Sequence, residues 1–134
     1  YMTAIEMAGC SLTLMKLDDE LKALLDAVEP LGYKRTILVF QPHTYTRTAA
    51  LFDDFIEQLQ RPDLTFLAEI YAAREHNTMG ISSADLAQHI EGCRFFTRFE
   101  EIEACLKETA RPGDIILTVG AGDVFKIGEH LVAR

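Results

Sequence analysis

The stretch QPHTYTR at residues 41–47 carries several side chains that could bind a ligand. It follows a short apolar run and leads into a helical pattern. The start of a helix presents unpaired N–H groups and a partial positive charge, which suit a carboxylate or a phosphate. In the structural alternative, a threonine of this stretch merely caps the helix and Arg47 pairs with Asp53 or Asp54 on the surface. We predict an anion-binding loop made of four residues: His43, Thr44, Tyr45 and Arg47.

A second corner, GAGD at 120–123, also joins an apolar run to a helical pattern. Gly120 and Gly122 would let the backbone approach a phosphate closely, with Asp123 and Lys126 beside it. The third glycine of the dinucleotide fingerprint and the Gly-Lys-Ser/Thr of a P-loop are both absent from the sequence. An ordinary tight turn is therefore the alternative interpretation of this corner.

Glu69 and Tyr71 lie where a third apolar run ends. We predict that they lie, together with the 120–123 corner, near a bound nucleotide or phosphate. Glu69 could hold a ribose hydroxyl or order a metal-bound water, although no partner for it is evident in the sequence. Arg74 and Glu75 are interpreted as a solvated pair in a polar loop. The four histidines have no HxxxH or HxH spacing and the three cysteines have no CxxC spacing, so we predict no metal site. No residue is predicted to be catalytic.

These loops require a framework of alternating strands and helices. Apolar runs predict strands, at 10–17, 37–40, 64–70, 93–96 and 115–119. Helical patterns fall between and after them, at 18–28, 46–59, 98–109 and 124–132, and a short one follows the S-x-x-D capping box of Ser82 and Asp85. The first of them has an apolar stripe at helical spacing, made of Leu21, Leu24, Leu25 and Val28. The alternation predicts a single α/β domain over residues 1–134, three-layered and Rossmann-like. Its mainly parallel sheet would have about five to six strands with helices on both faces. In such sheets ligands bind at the carboxyl ends of the strands.

The charge balance excludes some partners. Thirteen basic and 21 acidic side chains give a formal charge of −8, which opposes binding to nucleic acid or to an anionic membrane surface. No apolar run approaches the roughly 20 residues of a membrane-spanning helix, and no secretion signal is visible. Three cysteines without a pairing pattern indicate reduced thiols in a cytoplasmic protein.

From about residue 33 to the end, the chain resembles the C-terminal domain of the UDP-N-acetylmuramate–L-alanine ligases of the Mur ligase family. The segments that carry the resemblance are VFQPHTYTRT (39–48), EIYAARE (69–75), GISS (80–83), and PGD (112–114) through GAGD (120–123). The resemblance implies that the His43 loop and Arg47 face the carboxylate of the incoming amino acid. It also implies partner domains that hold ATP, magnesium and the UDP-sugar, so this chain alone is expected to need no cofactor and to perform no catalysis.

The first 27 residues depart from that family, whose opening DDYxHHPTE segment is absent here. The stretch YMTAIEMAGCSLTLMKLDDEL (1–21), continuing through residue 27, resembles instead the C-terminal end of the dihydroxyacetone-binding subunit of dihydroxyacetone kinase. A strand–helix unit from one α/β protein could replace the same unit in another if its apolar stripe agrees. We therefore form the hypothesis of an engineered chimera joined near residue 28. A natural ligase domain is the alternative, and an exposed former interdomain surface would allow a homodimer.

Overall fold

The computed structural model describes residues 2–6, 11–15, 21–78, 80–120 and 124–132, with the backbone alone for 2–6, 11–15, 125 and 132. Its strands are β1 (Met2–Glu6), β2 (Ser11–Met15), β3 (Arg35–Gln41), β4 (Leu64–Ala68), β5 (Cys93–Phe96) and β6 (Asp114–Gly120). Its helices are α1 (Leu21–Val28), α2 (Tyr45–Ala50), α3 (Phe52–Leu59), α4 (Ser83–Ala87), α5 (Phe99–Thr109) and α6 (Phe125–Val132).

The strands form one sheet in the order β2-β1-β6-β3-β4-β5. The four strands β6, β3, β4 and β5 run parallel, and β1 and β2 add an antiparallel pair beside β6. The central strands β3 and β6 have apolar side chains on both faces, as expected of strands covered by helices on either side. The predicted α/β architecture with a mainly parallel sheet is confirmed.

Alternate residues of the central strands enter two separate cores. Leu38 and Phe40 of β3 pack in one core with side chains of α1, α3 and α4, while Ile37 and Val39 pack in the other with α5 and α6. Successive side chains of a strand point to opposite faces, so this division places helices on both sides of the sheet. The predicted three layers are therefore present.

Helix α1 is an integral part of the first core. Its four apolar side chains lie at helical spacing and are all buried, together with residues of β3, β4 and β6. The stripe is the one the sequence predicts, and it consists of Leu21, Leu24, Leu25 and Val28. On the outer side of α1, Arg61 donates to Asp26 at 2.7 Å, and it also donates to Glu29, just beyond the helix, at 2.9 Å. The first helix is thus held by both apolar and polar contacts.

Two features differ from the sequence-based expectations, and a third expectation lies partly outside the described residues. Strand β1 was not predicted, because its five residues are of mixed polarity and pair with β2 and with β6, the latter more than 100 positions away. The helix expected over 46–59 is divided at Leu51, whose φ of −108° and ψ of 19° separate α2 from α3. Of the strand expected at 10–17, only β2 lies among the described residues. No helix in the described ranges is long and apolar enough to cross a membrane.

Candidate functional site

The loops that follow β3 and β4 meet at the carboxyl ends of the parallel strands. The N–H of Thr44 donates to the carbonyl of Tyr71 at 2.8 Å, and the N–H of Tyr71 donates to the carbonyl of Pro42 at 2.8 Å. These bonds extend the parallel pairing beyond the strands and place His43 opposite Tyr71. The two rings stack, with centroids 5.7 Å apart and planes 17° from parallel. The structure therefore brings the predicted residues of both loops together.

Thr44 begins helix α2 in an unusual backbone conformation. Its φ of 65° and ψ of 149° lie in a region that residues with a Cβ rarely occupy. Its hydroxyl accepts the N–H of Arg47 at 3.3 Å, and its carbonyl accepts the hydroxyl of Thr48 at 2.7 Å. The alternative interpretation in which a threonine caps this helix is thus correct for Thr44. Several contacts hold the strained conformation, which fixes the direction in which the chain leaves His43.

The start of α2 is already filled by a carboxylate of the same chain. Glu75 Oε1 accepts the N–H groups of Tyr45 at 2.7 Å and Thr46 at 3.1 Å, and its Oε2 accepts the Thr46 hydroxyl at 2.5 Å. The expectation of unpaired N–H groups at this helix start is therefore wrong. The interpretation of Glu75 as one member of a solvated pair is wrong for the same reason, since its carboxylate caps the helix.

The environment of Glu75 favours its charged form. The Thr46 hydroxyl and N–H, followed by the N–H of Tyr45, hold the pKa of the Glu75 carboxyl below its usual value, and the nearby His43 acts in the same direction. Sequence reasoning missed Glu75 because it lies about 30 positions from the helix it caps. The only available signal was the general preference for an acidic group at a helix start.

Glu69, at the end of β4, has partners that the sequence did not reveal. Its Oε1 accepts the N–H of Ser83 at 3.1 Å, and both of its oxygens lie within 3.2 Å of the Ser82 hydroxyl. Ser82 and Asp85 form the predicted capping box of α4. The expectation that Glu69 lacks a neighbour is wrong, because its carboxylate fixes the start of α4. A role for Glu69 toward a ribose or a metal-bound water stays a prediction.

Gln41 connects the ends of three strands. Its side-chain amide donates to the Glu69 carbonyl at 3.1 Å, and Gly120 packs so closely against it that a Cβ there would lie 3.1 Å from Gln41 Cβ. The buried Oε1 of Gln41 has no hydrogen-bond partner within the described parts of the chain. Of the second predicted corner, Gly120 ends β6 and Lys126 lies exposed in α6. Gly122 and Asp123 fall outside the described residues.

The arrangement offers a binding surface built from two adjacent strand ends. An imidazole stacked on an exposed phenol and a backbone fixed at Thr44 suit the recognition of a small anionic molecule, and Arg47 follows His43 by four positions, within α2. Within the described ranges no group of three or more histidine, cysteine, aspartate or glutamate side chains could hold a metal ion.

This fold and its strand-end loops match a family of known proteins. The Mur ligase, glutamate ligase domain matches residues 18–122, and the chain belongs to this family. A UDP-N-acetylmuramate–L-alanine ligase of Lachnospira eligens is 45% identical over 118 residues, which cover 85% of this chain and 26% of that protein. A protein of the same name from Clostridium botulinum strain Langeland is 43% identical over 137 residues, covering 95% of this chain and 30% of that protein. The chain thus spans less than a third of the length of these relatives.

A solved structure shares the fold. A domain assigned to a UDP-N-acetylmuramate:L-alanyl-γ-D-glutamyl-meso-diaminopimelate ligase of Haemophilus ducreyi superposes with a TM-score of 0.58. The two chains are 17% identical, and the match covers 87% of this chain and 85% of that one. At this level of identity the likeness shows the common architecture.

Proposed function

We propose that the chain is the amino-acid-binding C-terminal domain of an ATP-dependent UDP-N-acetylmuramate–L-alanine ligase, a cytoplasmic enzyme of peptidoglycan synthesis. The observation that carries the proposal is the meeting of the loops after β3 and β4, where His43 stacks on Tyr71. Both loops belong to the segments that carry the family resemblance. The identity of 42–45% with ligases of this name supports the choice of L-alanine over other amino acids.

The proposed task of this domain is to hold L-alanine for attack. In the reaction of such ligases, ATP phosphorylates the muramoyl carboxylate, and the amine of L-alanine then displaces phosphate from the acyl phosphate to form the amide. Arg47 would pair with the amino-acid carboxylate, and His43 and Tyr45 would border it. Thr44 would contribute through the backbone, because its conformation sets the direction of the loop. Binding in a fixed orientation lowers the entropic cost of bringing the amine to the acyl group.

The chain is proposed to act only together with other domains. The remaining part of such a ligase, more than two thirds of its length, would hold ATP, magnesium and the UDP-sugar, so we assign no catalytic residue to this chain. Glu69, Tyr71, Gly120 and Lys126 lie on elements that end or begin near the same edge, and we propose that they border the nucleotide. In isolation, the surface that normally meets the other domains could pair two copies of the chain.

A finer hypothesis concerns the first 27 residues, whose resemblance to the dihydroxyacetone kinase subunit suggested an engineered junction near residue 28. The similarity to the Clostridium botulinum relative extends over 95% of this chain and therefore into those residues. Helix α1 also fits the first core without an exposed apolar stripe. These observations favour a continuous ligase domain over a chimera, so we propose the former.

The proposal is tested with a hybrid ligase in which this chain replaces the corresponding segment of the Clostridium botulinum relative. We expect the hybrid to form UDP-N-acetylmuramoyl-alanine from UDP-N-acetylmuramate, L-alanine and ATP, while the isolated chain forms none. A folded hybrid that releases no product, under conditions where the parent ligase is active, would contradict the proposal. Circular dichroism of the hybrid separates this outcome from misfolding.

A further inference from the structure

We propose that Glu75 is a positioning residue for amino-acid binding: its carboxylate locks the loop after β3 against the loop after β4 and so orients His43 and Arg47. The inference rests on the proposed function and extends it to a residue outside the predicted binding loop. Glu75 does not touch the amino acid in this account. It acts through the residues that do.

The contacts of Glu75 make it a bridge between the two loops. It lies four positions after Tyr71, and its two carboxylate oxygens accept three hydrogen bonds from Tyr45 and Thr46. Two backbone bonds of Tyr71, to Pro42 and Thr44, also join these loops. Glu75 therefore adds three hydrogen bonds to the two backbone bonds of Tyr71 that connect the loops.

The conformation of Thr44 explains why such a bridge is needed. A threonine at φ 65° and ψ 149° is strained, and strain of this kind persists only where the surroundings enforce it. The Glu75 carboxylate holds the two residues that directly follow Thr44, and Tyr71 holds the N–H of Thr44 itself. Without the carboxylate, the loop could relax to an ordinary conformation, and His43 and Arg47 would change direction relative to each other.

Glu75 also excludes one mode of ligand binding. Because its Oε1 already accepts the N–H groups of Tyr45 and Thr46, the carboxylate of an amino acid has to be bound by side chains instead of by the helix start. A side-chain site depends on the orientation of the loop more strongly than a backbone site does. Because the helix start is occupied, the affinity for the amino acid depends on the position of the loop.

The test compares three variants of the hybrid ligase: Glu75→Ala, Glu75→Gln and Glu91→Ala. The last is a matched control, because Glu91 is an exposed carboxylate on the turn before β5. For Glu75→Ala we expect the KM for L-alanine to rise at least about tenfold, with the KM values for ATP and UDP-N-acetylmuramate changing less than about twofold. Glu75→Gln keeps an acceptor oxygen and should fall between wild type and Glu75→Ala. The control should match wild type.

A second measurement tests the hydrogen bonds of Glu75 directly and needs no catalytic activity. In the isolated chain, the amide protons of Tyr45 and Thr46 should exchange with solvent faster in Glu75→Ala and Thr46→Val than in wild type, while the amides of β3 and β6 keep their protection. Faster exchange together with an unchanged KM for L-alanine would overturn the inference. An equal rise of all three KM values would also overturn it, since that pattern indicates general damage.

The two proposals fail in different ways. An unsubstituted hybrid that folds but makes no product contradicts the proposed function, and the inference falls with it. An active hybrid whose Glu75→Ala variant retains the wild-type KM for L-alanine contradicts the inference alone.

Discussion

Arg35 and Asp114 face each other across β3 and β6 and are joined by two hydrogen bonds, of 3.0 Å from Nε and 2.6 Å from Nη2. The pair lies at the amino ends of these strands, opposite the edge that carries the candidate site. Asp114 is buried, with 2% of its side chain exposed, and it also accepts the N–H of Arg111 at 2.9 Å. Arg35 donates in addition to the carbonyl of Thr109 at 2.8 Å. This pair joins β3 to β6 at the end of the sheet away from the candidate site.

The first prediction concerns the pH dependence of stability. Arg35 holds the pKa of Asp114 below its usual value, so the folded chain has a lower Asp114 pKa than the unfolded chain. The stabilisation is therefore fully present above about pH 4 and is lost as the pH falls through the folded-state value. Asp114→Asn should lower the free energy of unfolding by about 2 kcal/mol at pH 7 and by less at acid pH, as measured by urea unfolding.

Asp26→Asn is the control for this prediction, because Asp26 is exposed although it pairs with Lys22 and Arg61. Its loss of stability should be much smaller than that of Asp114→Asn. Equal losses for Asp114→Asn at pH 7 and at pH 2.5 would show that the charge of Asp114 is not what matters.

The second prediction tests whether the first helix belongs to the domain. Leu25 of α1 is 1% exposed in the first core, whereas Leu31, just after the helix, is 64% exposed. Leu25→Ala should cost about 2–5 kcal/mol of unfolding free energy, because it removes buried apolar volume and leaves a cavity. Leu31→Ala should change it by less than about 0.5 kcal/mol. Similar small effects of both substitutions in urea unfolding would mean that α1 does not pack on the sheet.

The third prediction uses the backbone strain at Thr44. Thr44→Gly removes the Cβ that makes a φ of 65° unfavourable, while Thr44→Ala removes the capping hydroxyl and keeps the strain. The glycine variant should therefore be more stable than the alanine variant by about 1–2 kcal/mol in urea unfolding. An alanine variant as stable as the glycine variant, or more stable, would contradict a strained conformation at this position.

The fourth prediction concerns the close packing at the end of β6. A Cβ at Gly120 would lie 2.7 Å from Val124 Cγ1 and 3.2 Å from the carbonyl oxygen of Gln41. Gly120→Ala should therefore lower the unfolding free energy by about 1–3 kcal/mol. Combining it with Val124→Ala removes the nearest obstacle, so the double variant should lose less than the sum of the two single losses. Strict additivity would show that Gly120 does not contact Val124.

How far the sequence predicted this structure depends on how local each signal is. The capping box of Ser82 and Asp85 and the apolar stripe of α1 are encoded within a few residues, and both were predicted. The meeting of His43 and Tyr71 was expected at the level of the loops, because parallel strands bring their carboxyl ends to one edge.

Features that depend on distant partners were not predicted. The capping of α2 by Glu75 joins residues about 30 positions apart, and no local pattern distinguishes Glu75 from a solvated carboxylate. Strand β1 depends on pairing with β6 at the other end of the chain. The break at Leu51 has no glycine or proline to mark it.

The most direct test of the proposed role of the His43 loop is the KM for L-alanine of the hybrid ligase carrying Arg47→Ala. If Arg47 binds the amino-acid carboxylate, this KM should rise at least about tenfold, while the KM for ATP stays within about twofold of wild type. An active hybrid in which Arg47→Ala leaves the KM for L-alanine unchanged would contradict the placement of the amino acid at this edge of the sheet.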